Sequence, residues 1–237
     1  MRLQLAGCIV PSGERTRIVE EFRIVKRPLL LKAFATGDQR TRNGNLIMVT
    51  SARPGEGKSH TAVNLAMSMV SERDLNVLLV DADMHNTSEY SSMGMMGVNA
   101  EKGLLNVVAD PSTDLADVLL RTDIPNLTLL PAGTNVMNPT ELLASNRMGQ
   151  LVEELAERYP DRVIIIDTPP VLATSEPSVL AMHVGQLLFV VEAEKTSQKA
   201  IESSLALLGG CQNINLVLNK AKMEGGGDRF GAYSYYY

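Results

Sequence analysis

At 237 residues, with 45% hydrophobic content and no tryptophan, the chain is long enough for one α/β domain whose sheet is covered on both faces. Two cysteines, Cys8 and Cys211, exclude a disulfide framework and a cysteine metal site, and they fit a reducing cytoplasm. The net charge of −5 hides an asymmetry: residues 1–45 hold nine Lys/Arg against four Asp/Glu, a balance of +5, which leaves −10 on the remainder.

Residues 1–15 read as an irregular leader. Leu5-Ala6-Gly7-Cys8 resembles a lipoprotein cleavage box, yet only seven residues precede the cysteine and no apolar signal core stands there, so no lipid anchor is expected. Thr16–Val25 has Ile18, Phe22 and Val25 at helical spacing. Pro28 is expected to disturb that helix, with Leu29–Phe34 forming a second piece. Residues 1–45 thus make a basic helical arm, open to lipid headgroups, nucleic acid or an acidic face of a sister subunit; a solvated helix face accounts for the charge as well. Gly37–Asn45 is a polar linker.

Leu46–Val49 is an apolar run that leads into Ala52-Arg53-Pro54-Gly55-Glu56-Gly57-Lys58-Ser59, and a helical pattern over Thr61–Ser71 follows. Strand, glycine loop, Lys-Ser and helix start make a phosphate-binding loop, with Ala52 in place of the usual first glycine. Successive backbone N–H groups and the positive end of the helix surround phosphate oxygens. Residues Arg53, Pro54, Gly55, Glu56, Gly57, Lys58, Ser59 and His60 are therefore expected to bind ATP or GTP. Lys58 reaches the β- and γ-phosphates, and the Ser59 hydroxyl ligates Mg²⁺.

Further on, apolar strands over Val77–Val80, Leu127–Leu130, Val163–Ile166, Leu187–Val191 and Leu216–Leu218 alternate with helices near Ser145–Arg158, Ser175–His183 and Ser197–Leu208. Met93, Met95 and Met96 sit in a glycine-broken loop as gap-fillers. Asn138-Pro139-Thr140-Glu141 resembles a helix start. Strands this uniformly apolar predict an α/β fold with a mostly parallel sheet, all strands buried and helices on both faces. Ligands of such sheets bind at the carboxyl ends of the strands. No apolar run approaches the ~18 residues of a membrane-spanning helix.

Asp81 and Asp83 close the second strand on the same side, and Asp167, before Pro169-Pro170, closes another. Carboxylates at strand tips beside a phosphate loop hold Mg²⁺, and three exceed what one ion needs, so one is free to accept a proton. Asn219 follows the last strand, where it contacts the nucleotide base or simply turns the chain. The sequence ends differently. Gly225-Gly226-Gly227 precedes a segment in which Tyr233, Tyr235, Tyr236 and Tyr237 hold four of the six tyrosines. Residues 46–221 are thus expected to form the nucleotide-binding domain, and 222–237 a flexible tail.

The loop, Val77–Asp83, the Leu-Pro-Ala-Gly and Asn-Pro-x-Glu-Leu-Leu segments of Leu130–Ser145, Val163–Leu172 and the tyrosine-rich end resemble the bacterial protein-tyrosine kinases of polysaccharide export, the BY-kinases. Glu20-Glu21-Phe22-Arg23, Val190–Ala193 and Leu218–Ala221 are most like the exosortase-associated tyrosine autokinases. The resemblance implies a P-loop NTPase fold of the ParA/MinD-like type and ATP- and Mg²⁺-dependent autophosphorylation of Tyr233, Tyr235, Tyr236 and Tyr237. One subunit acts on its neighbour in a ring-shaped homo-oligomer that regulates exopolysaccharide synthesis and export. It also implies a membrane-embedded activator of the chain-length-regulator type, which places the chain at the inner face of the cell membrane, with no nucleic-acid partner. By family role Lys58 and Ser59 serve the phosphates, Asp81 and Asp167 the metal, and Asp83 activates the tyrosine hydroxyl. Glu20, Arg23 and Lys26 match a subunit contact, with lysine where the family has arginine; lysine lacks the planar fork of arginine. His85 likewise replaces an arginine.

Two other functions compete. A positioning or partition ATPase uses an early loop lysine that reaches across a dimer, whereas Arg53 and Pro54 occupy the corresponding positions here. A nucleotide-binding export scaffold without catalysis would tolerate loss of one of the five polar groups, and all five are present.

Overall fold

A computed structural model describes residues 2–10, 16–86, 88–134, 136–159 and 161–222. In chain order the elements are α1 (Arg2–Leu5), α2 (Arg17–Ala33), β1 (Leu46–Ser51), α3 (Lys58–Val70), β2 (Asn76–Asp81), α4 (Ser92–Met96) and α5 (Leu104–Ala109). There follow β3 (Leu120–Arg121), β4 (Leu127–Leu130), α6 (Pro139–Leu143), α7 (Asn146–Arg158), β5 (Arg162–Asp167), α8 (Glu176–Leu180), β6 (Gln186–Glu192), α9 (Gln198–Leu207) and β7 (Ile214–Asn219).

The seven strands form one sheet in the order β3-β4-β2-β5-β1-β6-β7, parallel except for β3 against β4. Strand side chains alternate between two cores, as the period of two requires. Met48, Leu78, Val80, Ile164, Ile166 and Phe189 face one side with α5, α7 and α8. Ile47, Val49, Leu79, Ile165 and Val190 face the other with α2, α3 and α4. β1 and β6 are buried at every position and β5 at all but its first, which is why they read as continuous apolar runs.

Four expectations need correction. First, α2 runs unbroken through Pro28. Proline removes one helical hydrogen bond, but complete burial of Leu29 and a bond from Gln186 Nε2 to the Leu29 carbonyl (2.9 Å) hold the segment helical. Second, the described part of the leader is ordered: α1 is followed by buried Cys8 and Ile9, and the Ile9 N–H donates to Asn64 Oδ1 on α3 (2.7 Å). Third, the methionine segment contains the short helix α4, whose first turn is capped by Ser91 Oγ accepting from Gly94 N–H; Met93 and Met95 do fill the core. Fourth, β7 is an edge strand, and Leu216 and Leu218 are exposed at 56% and 61%. An apolar triplet does not distinguish an interior strand from an edge.

The expected helix start at Asn138 is α6, with Pro139 in its first turn. The sequence reading missed α5, whose six residues are too few to display a helical period, and the two-residue β3. No described helix is long and apolar enough to cross a membrane. Tyr233, Tyr235, Tyr236 and Tyr237 lie outside the described residues.

Candidate active site

β1 lies near the middle of the sheet between β5 and β6, and its chain emerges at the carboxyl edge into the loop 52–57. Gly55 and Gly57 both adopt left-handed backbone, at φ 84° and 96°, and Gly57 is the N-cap of α3. A β-carbon at Gly57 would displace the Asn219 amide, and the left-handed φ there favours glycine in any case. The unpaired N–H groups of the first turn of α3 and its dipole make an anion site.

Register places the acids. Asp81 pairs directly with Asp167 across β2 and β5, and Val49 of β1 pairs with Asp167. The end of β5 is fixed to β1 by Thr168 Oγ1 donating to the Val49 carbonyl (3.0 Å) and Thr50 Oγ1 donating to the Pro169 carbonyl (2.8 Å). Asp81, Asp83, Asp167, Lys58 and Ser59 are all buried. Lys58 Nζ makes an ion pair with Asp83 Oδ2 and lies 3.3 Å from Ser59 Oγ. Asp81 Oδ1 accepts from the Asp83 N–H (3.0 Å). Neither oxygen of Asp167 has a hydrogen-bond partner, nor does Asp83 Oδ1.

Three carboxylates around one ammonium are an unbalanced set. Burial, reinforced by the charge of Asp167, pushes the Asp81 carboxyl well above the ordinary aspartate range. Burial raises Asp167 to about 6, against the opposing pull of Lys58. Burial alone would lower the ammonium of Lys58, but the charges of Asp167 and Asp83 outweigh it and hold the group above its usual value.

The chemistry of this donor set fits a divalent cation. Buried oxygens without partners and an excess of negative charge are what such an ion satisfies. Among the described residues no three His, Cys, Asp or Glu side chains form a metal cluster. Mg²⁺ bound with a nucleotide is held by one or two side chains together with phosphate oxygens. Ser59 and Asp167 would hold it, with Asp81 beside Asp167 across the β2–β5 register. The ion would neutralise charge on a transferring phosphoryl group. A cavity of about 270 Å³ opens beside Asp81 and Asp83 and is bounded by Gly94, Val98, Pro131 and Gly133.

Several expected site residues have other partners. Arg53, Pro54 and Gly55 are exposed. The His60 ring lies against the Gly7 carbonyl (3.3 Å) and Asn64 Nδ2 (3.2 Å), so its side chain serves the leader contact. Asn219 Nδ2 donates to the Glu56 carbonyl (2.8 Å) and thereby supports the loop. Glu20 and Arg23 pair with each other along α2. The Lys26 side chain is 5% exposed, and Nζ donates to the Ser68 carbonyl (2.6 Å) and pairs with Glu72 Oε1 (2.7 Å) on α3 and its end. It is buried within its own subunit. His85 Nε2 lies 3.4 Å from Glu176 Oε1, a carboxylate with no exposed surface. Thr196 and Lys220, which contact the loop, were not singled out for it. Their proximity arises from strand order, which local sequence does not carry.

A mostly parallel sheet with a phosphate loop after a central strand and acids on neighbouring strand tips defines a P-loop nucleotide-binding protein. The chain belongs to the AAA domain family, matched over residues 44–221. Among curated proteins it is similar to the tyrosine-protein kinase Wzc of Salmonella typhimurium, with 32% identity over 81% of this chain. The chain spans about a quarter of that relative, 26% of its length. It is also similar to the putative tyrosine-protein kinase CapB of Staphylococcus aureus, at 27% identity over 96% of this chain and 93% of CapB. The solved kinase domain of the Escherichia coli tyrosine kinase ETK superposes with a TM-score of 0.75 at 27% identity, covering 95% of this chain and 94% of that one. A ParA family ATPase from Chlorobium tepidum shares the fold at a TM-score of 0.61 and 22% identity, over 76% of this chain and 75% of that one. The expected fold class and the resemblance to bacterial tyrosine kinases are both borne out.

Proposed function

We propose that the chain is an ATP- and Mg²⁺-dependent protein-tyrosine autokinase that phosphorylates Tyr233, Tyr235, Tyr236 and Tyr237 of neighbouring subunits. The observation that carries this reading is the buried Lys58–Asp83 ion pair between the phosphate loop and the strand-tip acids, in a chain similar to named tyrosine kinases. Lys58 has one ammonium to share. When nucleotide phosphates compete for it, Asp83 is released to act as a base. The tyrosine Oη then forms a bond to the γ-phosphorus, the bond to the β–γ bridging oxygen breaks, and ADP leaves. The phenolic proton passes to Asp83 and on to solvent. Ser59, Asp81 and Asp167 serve the metal.

The assembly is a ring-like homo-oligomer in which Glu20 and Arg23 exchange partners between subunits. Its activator is a membrane-embedded chain-length-regulator-type protein that keeps the kinase at the inner face of the membrane. The pathway it regulates is exopolysaccharide synthesis and export. Residues 46–221 form the kinase domain, 1–45 the arm that assembles it, and 222–237 the phosphorylated tail.

The test is intact-mass spectrometry of purified protein incubated with ATP and Mg²⁺, followed by peptide mapping. Stepwise phosphate additions confined to Tyr233–Tyr237 and absent from Lys58→Met are expected. Lys58→Met is expected to keep the fold by circular dichroism, because the side chain serves the phosphates and the acids around them. Retained phosphorylation in that variant would remove the proposed site. Hydrolysis of ATP without any mass increase would favour the positioning-ATPase reading.

A further inference from the structure

Glu56 is a buried carboxylate inside a loop built to attract phosphate, where a negative charge is unfavourable. Both of its oxygens are engaged by the chain. Oε2 accepts from the Arg53 N–H (2.9 Å), and Oε1 accepts from Thr196 Oγ1 (2.6 Å). Thr196 Oγ1 in turn accepts from the Glu192 N–H at the end of β6 (3.0 Å). From β7, Asn219 Nδ2 donates to the Glu56 carbonyl (2.8 Å). Lys220 Nζ donates to the Gly55 carbonyl (2.6 Å) and pairs with Glu192 Oε2 (3.3 Å).

Peptide planarity gives these contacts a consequence for ligand binding. In a trans peptide the carbonyl and the following N–H point in opposite directions. Holding the Gly55 carbonyl toward Lys220 turns the Glu56 N–H away from the brace. Holding the Glu56 carbonyl toward Asn219 does the same for the Gly57 N–H. These donors are the ones a phosphate-binding nest needs, presented before any ligand arrives. The Arg53 N–H is meanwhile occupied by the Glu56 carboxylate.

We propose that Thr196 is a positioning residue for the nucleotide: acting through Glu56, and together with Asn219 and Lys220, it holds the phosphate loop in its binding shape. The inference rests on the nucleotide-binding reading of the loop and adds the ends of β6 and β7 to that site. The four residues stand on elements that carry no strand-tip acid of the metal set.

The experiment titrates ADP with Mg²⁺ into the full chain by calorimetry, comparing wild type with Thr196→Val, Thr196→Ser and Lys220→Met. Thermal midpoints and KM for ATP are measured on the same samples. A hydrogen bond to a buried charge supports an effect of roughly 10-fold or more in ADP affinity for Thr196→Val. KM for ATP should rise in parallel while kcat changes little. Thr196→Ser keeps the hydroxyl and should bind ADP within about threefold of wild type. Lys220→Met alters a half-exposed side chain that the fold does not need, so it tests the brace even if Thr196→Val fails to fold. It should weaken ADP several-fold. A purely structural role would lower the thermal midpoint and the binding stoichiometry with Kd unchanged. That result, or variants that all match wild type, overturns the brace alone. A wild-type chain that binds no ADP overturns the nucleotide reading and the brace together.

Discussion

Asp167 carries an unresolved electrostatic conflict. Its carboxylate is fully buried without a hydrogen-bond partner, and burial raises it to about 6 from an ordinary 3.8. Between those values the folded chain binds a proton that the unfolded chain has released. The contribution of this group to stability is therefore largest at low pH and falls as pH rises through that window. Asp167→Asn removes the buried charge. The nucleotide-free variant is expected to melt several degrees above wild type at pH 7, with the gap much narrower at pH 4.5. Its midpoint should no longer rise on addition of ADP and Mg²⁺. Scanning fluorimetry at both pH values checks this, and equal midpoints at pH 7 would refute the argument. The position of Asp167 was legible because an acid after an apolar run has only the strand tip to occupy. Its missing partners were not, because they depend on the register between β1, β2 and β5.

At the scale of elements, α2 separates what periodicity reveals from what it hides. The spacing of Ile18, Phe22 and Val25 announced a helix, and all three pack toward the core. Pro28 announced a break that does not occur, because proline cost is local while the compensating burial of Leu29 is tertiary. Lys26 was matched to a subunit contact by its place in the pattern, yet three-dimensional packing turns it onto the end of α3. The residues of this helix consequently divide. Lys26→Met should destabilise the isolated subunit by about 1–3 kcal/mol, since it leaves the Ser68 carbonyl and Glu72 without their partner. Arg23→Glu changes a half-exposed i,i+3 pair and should alter subunit stability by no more than about 0.5–1 kcal/mol. In contrast, Arg23→Glu should lower the assembled fraction in sedimentation velocity, and Lys26→Met should affect assembly only as far as it unfolds the chain. Denaturant melts beside sedimentation distinguish the two. Arg23→Glu that assembles like wild type would remove α2 from the interface.

The whole molecule joins a basic arm to an acidic body, and the structure pairs much of the arm's charge locally. Arg17 binds Glu21, Arg23 binds Glu20, Lys26 binds Glu72 and Arg42 binds Glu153. Two of these pairs lie within the arm and two take up acids of the body, so about −8 is left on the body against +3 on the arm, and the whole chain keeps its net −5. Each phosphate added to a tail tyrosine brings roughly −1.5 to −2 more. Four such groups add about −6 to −8 to a chain whose net charge is −5, and a neighbour carrying the same excess repels it. Phosphorylation is thus expected to favour dissociation of the assembly, with kinase action setting its own lifetime. Replacing Tyr233, Tyr235, Tyr236 and Tyr237 by glutamate should reduce the scattering mass at low salt. Raising the ionic strength to about 0.5 M should restore it, because the screening length then falls to a few ångströms. A glutamate tail that assembles like the unmodified chain at low salt would refute repulsion as the cause. Dissociation that salt does not reverse would instead assign the tail's effect to lost tyrosine contacts.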